Sequence, residues 1–493
     1  MRSPCHLPYT VFSILLLSLS LLEDLDCAAL AAPSFSSSQF HQLSLSRGAR
    51  TQRNATEWGW WASYQGQRLS IKYGAENALT KRASGMNLLT NQNDDSSYFG
   101  SLTVGTPPVS YNVVLDTGSS DFWLATEKAF QADQMNSTPY NPSASSSFMA
   151  SNNSFSIKYG SGGATGVLGT DTVQMAGFTV DDQVLGVVSN MTENMLTAPV
   201  SGLLGLAFPS IAMSHATPFW LNIAAQPQFL DDTVMSFQLT RYLDDSTAAD
   251  AEPGGTFTFG AVNSSLYSGD IDYQNVPDGH VGYWILEVNS LVVQNTTLSM
   301  PSAPSYAAID TGTTLVAGPV TAIAELYATI PGTCATEVTV YFNFGNSSVL
   351  WPVSPTDFQL AQLSADTCLG AFFEYENPGT TGPTWIIGDT FLVSLTALLR
   401  LVLSHSDETA LQKNVYSVFR AQPAPSVGFA ALSGLSQSMN GQGGALPSPT
   451  YATSVPAVTA QAGLSTTSGS SLLTSSFGIL LTSLVTAVWS LGF

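Results

Sequence analysis

The sequence predicts an all-β body made of two related lobes, and three observations carry that expectation. Short runs rich in β-branched and aromatic residues, such as SYFGSLTV, YNVVLD, GTFTFG and VTVYFNF, are cut by Gly, Pro, Asn and Ser, which is how strands and turns are punctuated. Helical periodicity is rare outside the opening stretch. One pattern occurs twice: VVLDTGSSDFW at 113–123 and AAIDTGTTLVAGP at 307–319 each place Asp-Thr-Gly-Ser/Thr directly after an apolar strand. Each copy is followed by an apolar-apolar-Gly element, GLLGLA at 202–207 and WIIGDT at 385–390. A lone Asp-Thr-Gly is a common turn tripeptide; two copies with matching flanks and matching partners point to duplication. The lobes are expected at 83–270 and 271–432.

Both ends read as removable. Arg2, the apolar run Val11–Leu22 and the small-residue stretch AALAA at 28–32 have the layout of a secretory signal peptide, taken as 1–32. Residues 33–82 form a basic, Ser-rich segment ending in Lys81-Arg82, read as a pro-segment released by a processing protease. From Ser433 to the end the chain has no charged residue. Residues 433–470 read as a Ser/Thr-rich stalk, and 471–493 as the hydrophobic tail of a GPI signal, with attachment at Ser468, Gly469 or Ser470. A membrane-spanning helix is less well supported, because no Lys or Arg follows the apolar run.

Charge narrows the function. Lys+Arg number 14 against 35 Asp+Glu, a net charge of −21, which argues against nucleic-acid binding. Eight of the 14 basic residues lie in 1–82. The acidic body sheds repulsive charge as pH falls and so suits an acidic medium. Cys5 and Cys27 fall in the signal region, leaving Cys334 and Cys368, most simply one disulfide in an oxidising compartment. Asn-x-Ser/Thr sequons begin at Asn54, Asn136, Asn152, Asn190, Asn263, Asn295 and Asn346, as in a secreted glycoprotein.

The segments YFGSLTVGTPPVSYNVVLDTGSSDFW, YGSGGATGVLGTDTV, GLLGLAFPS, GYWILEVNSL, AAIDTGTTLVAGP and IIGDTFL, in that order between Ser97 and Leu432, resemble the pepsin family of aspartic endopeptidases. The signal, dibasic pro-segment and tail resemble the fungal cell-surface members. The resemblance implies a bilobal fold with the active-site cleft between the lobes. It implies polypeptide substrates, pepstatin-type inhibitors, a monomer, and no metal or cofactor. Asp116 and Asp310 would be the catalytic pair: two carboxylates about 3 Å apart cannot both ionise, so one activates water while the other protonates or hydrogen-bonds the scissile amide. Such a pair titrates as one unit. Gly118 and Gly312 are expected to let the backbone turn tightly so that the two loops can meet. Thr117 and Thr311 would bond across to the opposite loop, and Ser119 and Thr313 would bond the outer carboxylate oxygens. Tyr159 and Gly160 match the tip of a flap that closes over substrate. Trp123 is expected to accept the flap tyrosine's hydroxyl. Cys334 and Cys368 lie where the family bridges a loop of the second lobe. Lys72 or Arg68 would pair with the aspartates in the zymogen; Tyr73, in the echo SIKYGA, is not a flap residue.

Other chemistries find little purchase. H-E-x-x-H and G-x-S-x-G are absent from the sequence. The alternative from another class is an inactive glycoprotein on the same fold, with a binding or cell-wall role. The acidic loop at 242–255 reads as a solvated surface insertion.

One stretch does not match its surroundings. Deleting Val393–Gln412 joins IIGDTFL to KNVYSVF as an uninterrupted family match, so 20 residues are additional. Their apolar core, Leu392–Leu403, is too short to span a bilayer and is interrupted by Arg400. As a docking helix it is weakly amphipathic. Val-Ser can be encoded GTGAGT, Ser406-Asp407 TCTGAC, and Leu411-Gln412 can end in TGCAG, resembling a splice donor, branch point and acceptor. The favoured reading is an unspliced intron of 60 nucleotides.

Overall fold

The computed structural model describes residues 83–130, 136–226, 229–243, 245–298, 300, 304–330, 334, 336–364, 367–376, 382–393, 415–440 and 457–460, and the backbone of 488–489. All of them belong to one compact unit. The first-lobe strands are β1 Gly85–Gln92, β2 Ser97–Val104, β3 Val109–Asp116, β4 Phe122–Ala125, β5 Met149–Tyr159, β6 Gly162–Met175, β7 Phe178–Met191, β8 Gly202–Gly205, β9 Val234–Leu239 and β10 Ala251–Phe259. Then come β11 Tyr267–Asn275, β12 Ile285–Val293, β13 Thr296–Thr297, β14 Tyr306–Ile309, β15 Val316–Gly318, β16 Val340–Phe344, β17 Trp351–Val353, β18 Gln359–Gln362, β19 Cys368–Gly370, β20 Phe372–Glu374, β21 Trp385–Ile387, β22 Val415–Arg420, β23 Ser426–Leu432 and β24 Val458–Thr459. Helices are few and short: α1 Phe219–Ala224, α2 Val320–Thr329, α3 Pro355–Phe358, α4 Asp389–Leu392 and α5 Gly434–Gln437. None of the described helices is long and apolar enough to cross a membrane.

The duplication in sequence is a duplication of topology. β8 lies between β3 and β4, parallel to the first and antiparallel to the second, with Asp116 opposite Gly205. β21 lies in the same way between β14 and β15, with Ile309 opposite Ile387. Each apolar-apolar-Gly element is thus the strand that splits its own Asp-Thr-Gly loop from the strand that follows. Strands packed on both faces must be apolar throughout, and β4 and β8 are buried at every residue.

The boundary expected at 270 falls inside β11. One sheet runs β11-β23-β22-β9-β10-β1-β2-β3-β8-β4-β7-β6-β5, so the last strands of the chain close onto the first lobe through β22 and β9. Aromatic packing seals this join. Trp284 lies 4.4 Å from Phe208, 5.6 Å from Trp220 and 5.4 Å from Phe419 by ring centroids, and its indole N–H donates to Leu206 O at 2.9 Å. The second lobe has its own core of Phe342, Phe344, Phe372 and Phe391, each fully buried, tied by the Cys334–Cys368 disulfide with Cα atoms 5.7 Å apart.

The body also ends later than Leu432. Ser433 caps α5 by accepting from Ser436 N–H at 3.2 Å. Ser436 Oγ donates to Leu266 O at 2.7 Å, Met439 is 1% exposed, and Asn440 Oδ1 accepts from Arg241 N–H at 3.1 Å. Farther on, β24 adds to β7 in parallel. The expected stalk is therefore docked at 433–440 and again at 457–460, because scattered apolar residues, Met439 and Val458 among them, find core positions. Of the additional segment, only Val393 is described; it is buried beyond α4, which packs on β22.

Candidate active site

The two Asp-Thr-Gly loops meet head to head, and each is held by the other. Thr117 N–H donates to Thr311 Oγ1 at 3.1 Å and Thr311 N–H to Thr117 Oγ1 at 3.0 Å. Each hydroxyl then donates back into the opposite strand, Thr117 to Ile309 O at 2.8 Å and Thr311 to Leu115 O at 2.6 Å. Both threonines are buried, so all of these groups depend on one another rather than on water.

This lock brings Asp116 and Asp310 together, each carboxyl lying against the glycine of the opposite loop. The cradles match: Gly118 N–H donates to Asp116 Oδ1 at 2.7 Å and Gly312 N–H to Asp310 Oδ1 at 2.8 Å. Ser119 Oγ donates to Asp116 Oδ2, and Thr313 Oγ1 to Asp310 Oδ2 at 2.7 Å. The glycines do let the two loops meet, though not through a left-handed turn. Neither has a left-handed φ; instead a Cβ on Gly118 would overlap the Asp310 carboxyl, and one on Gly312 would lie 2.5 Å from Asp116 Oδ1. Close approach, not turn geometry, excludes a side chain there.

Asp116 is 4% exposed. Burial pushes its carboxyl well above the usual range, the Asp310 charge adds to that, and the Ser119 bond opposes it. Two carboxylates so placed hold one proton between them. Asp389, at the start of α4, is also buried and raised, first by burial and then by the charges of Asp310 and Asp95.

β5 and β6 form a hairpin, with Tyr159 paired to Gly162 and Gly160 exposed in the turn. The Trp123 indole N–H donates to Tyr159 Oη at 2.9 Å. This reverses the expected direction, since an indole nitrogen has no lone pair with which to accept. Ser119, which donates to Asp116, is among the groups that influence the Tyr159 hydroxyl. The Tyr159 hydroxyl is raised by burial and by the Asp116 charge, and it stays a neutral donor.

Two contributors were missed in the sequence. Asp121, five residues past Asp116, is buried and accepts from Met213 N–H at 2.7 Å and Ser214 N–H at 2.9 Å, pinning that loop to the site. Tyr283, half-buried, has its hydroxyl raised by burial, then by Tyr375, Asp310 and Asp116, so it lies within the field of the pair. Neither carries a local signal, since an acid after DTGSS and a tyrosine before a tryptophan have many ordinary uses. Asn136, Asn152, Asn190, Asn295 and Asn346 are exposed, whereas Asn263 is half-buried with Oδ1 accepting from Ser265. Asn54, Arg68, Lys72, Lys81, Arg82 and Ser468–Ser470 lie outside the described residues.

Two split β-units, each presenting an aspartate to the other beneath a tyrosine-tipped hairpin, define an endopeptidase class that works with a carboxylate pair. The family model "Eukaryotic aspartyl protease" matches residues 97–399, ending inside the additional segment. The chain belongs to that family. It is 39% identical over 381 residues to "Major aspartyl peptidase 1" of Cryptococcus neoformans var. grubii, covering 72% of this chain and 73% of that one. It is 33% identical to "Pepsin A" of Rhinolophus ferrumequinum, covering 60% of this chain and 77% of the relative, and 34% identical to that of Bos taurus, covering 60% and 80%. The protein is an aspartic-type endopeptidase acting on polypeptides.

Proposed function

We propose that the protein is a secreted, surface-anchored aspartic endopeptidase working at acidic pH, with Asp116 and Asp310 as its catalytic pair. The observation that carries this reading is the reciprocal cradle around two carboxyls, each held against the glycine of the other loop. The pair shares one proton: the protonated carboxyl hydrogen-bonds the scissile carbonyl, and the ionised one polarises the attacking water. Proton transfer to the leaving nitrogen then completes cleavage without a covalent intermediate. Tyr159 closes the flap over the substrate and excludes bulk water.

Acidic working conditions follow from the need to keep one proton on the pair. Processing at Lys81-Arg82 is supported by the dibasic pair itself and leaves Ala83, 7% exposed and bonded through its nitrogen to Phe229 O at 2.9 Å, at the head of the mature chain. The uncharged C-terminal sequence supports GPI attachment near Ser468–Ser470.

The test is cleavage of a denatured protein at pH 3–5 by the purified processed enzyme, with and without pepstatin. Pepstatin-sensitive cleavage that disappears in Asp310→Asn is expected. Absence of cleavage by folded, processed protein would instead support the inactive glycoprotein with a binding or wall role.

A further inference from the structure

β5 is the last strand of the large sheet. Among the described residues β6 pairs with one side of it and no strand pairs with the other. An open edge presents unpaired N–H and C=O groups and is a template for pairing with another chain. This edge also has apolar residues beside it: Met149 is 56% exposed on β5 and Val167 is 47% exposed on β6. Only Lys158 supplies a charge along β5.

The sequon Asn152-Asn153-Ser154 lies on this edge. The register of β5 against β6 shifts between Ala150 and Ser154, so Asn152 sits in the bulge, where the strand is already bent out of line. Asn152, Asn153 and Ser154 are all exposed, and Ser154 stands directly opposite Val167. Met149 precedes the acceptor by three residues. Tyr159 is seven residues farther along β5, about 20 Å at ~3.3 Å per residue, so a sugar on Asn152 leaves the flap tip clear.

We propose that Asn152 carries an N-linked glycan that shields the open edge of β5 and the exposed side chains of Met149 and Val167, preventing pairing with a second copy of the chain. A branched, strongly hydrated oligosaccharide at a bulge covers both the unpaired backbone and the neighbouring apolar side chains. It does so without placing charge near the catalytic pair. The inference rests on the secretory route proposed above.

The test uses the full chain secreted from a glycosylating host. Mass spectrometry of the peptide containing Asn152 reads occupancy, and size-exclusion chromatography after mild warming reads self-association. Asn152→Gln and Ser154→Ala delete the sequon in two ways, whereas Ser154→Thr preserves it. Both deletions are expected to lose one glycan and shift the eluted protein from monomer to dimers and larger species; Ser154→Thr should behave like the native chain. Glycans at other sequons with Asn152 bare would overturn this inference and leave the secretory route intact. Occupancy without any change in self-association in both deletion variants would overturn the shielding role. A chain bare at every sequon would overturn the secretory route as well.

Discussion

Replacing either threonine of the loop lock by valine tests how the site is assembled. Thr311→Val keeps shape but orphans Thr117 N–H, now bonded at 3.1 Å, and strips Leu115 O of the hydroxyl that donates to it at 2.6 Å. A buried donor left without a partner costs about 1–3 kcal/mol, and loss of a made bond ~1 kcal/mol more. The single variant should therefore be about 2–4 kcal/mol less stable, and Thr117→Val, which orphans Thr311 N–H and strips Ile309 O of its hydroxyl donor, should match it. The two pairs hold the same two loops. Once one pair is broken the loops can part and hydrate, so the double variant should fall short of the summed singles by ~1 kcal/mol or more. Denaturant unfolding of the four proteins measures this cycle. kcat/KM should drop together with stability, by about 100-fold if the carboxyls separate by ~1 Å. Strictly additive energies, or singles within ~0.5 kcal/mol of the parent, would refute the reciprocal lock.

Three further outcomes are expected. Ser119→Ala removes a bond that lowers the Asp116 carboxyl, so the high-pH limb of kcat/KM, where the pair loses its proton, should move upward. For Asp389, burial raises the carboxyl well above its usual 3.8. A group raised in the folded state favours folding fully below its unfolded value and loses that contribution as pH rises, so Asp389→Asn should match the parent near pH 3 and become relatively more stable above about pH 4, as thermal melts would record. If residues 393–412 are an unspliced intron, digestion will yield a peptide joining Leu392 to Lys413, and a peptide containing LVLSHSDETALQK refutes that origin.

Much of the site was legible because catalysis by two carboxylates needs the same local chemistry twice. Asp116 and Asp310, their glycines and their hydroxyl partners stand in two short motifs, and strand patterning around them marked the all-β class. The reason for Gly118 and Gly312 was less accessible. A glycine in a turn suggests dihedral freedom, and only the facing loop revealed that each leaves room for the other lobe's carboxyl. Trp123 was recognised as Tyr159's partner, but the direction of the bond had to come from the indole's donor-only chemistry. The docking of 433–440 was obscured by composition, since a Ser/Gly-rich background hides a single buried methionine at Met439.

By itself the sequence determined the class of fold, the duplicated unit and the residue types able to do the chemistry, because these depend on local patterning and on motifs that repeat. The tertiary structure alone decided how the units combine: that β22 and β23 close onto β9, that the two loops bond reciprocally, and that Asp121 and Tyr283 join the site. Those contacts join residues tens to hundreds of positions apart. Their energy comes from mutual burial and shared hydrogen bonds, and neither exists until both lobes have folded against each other.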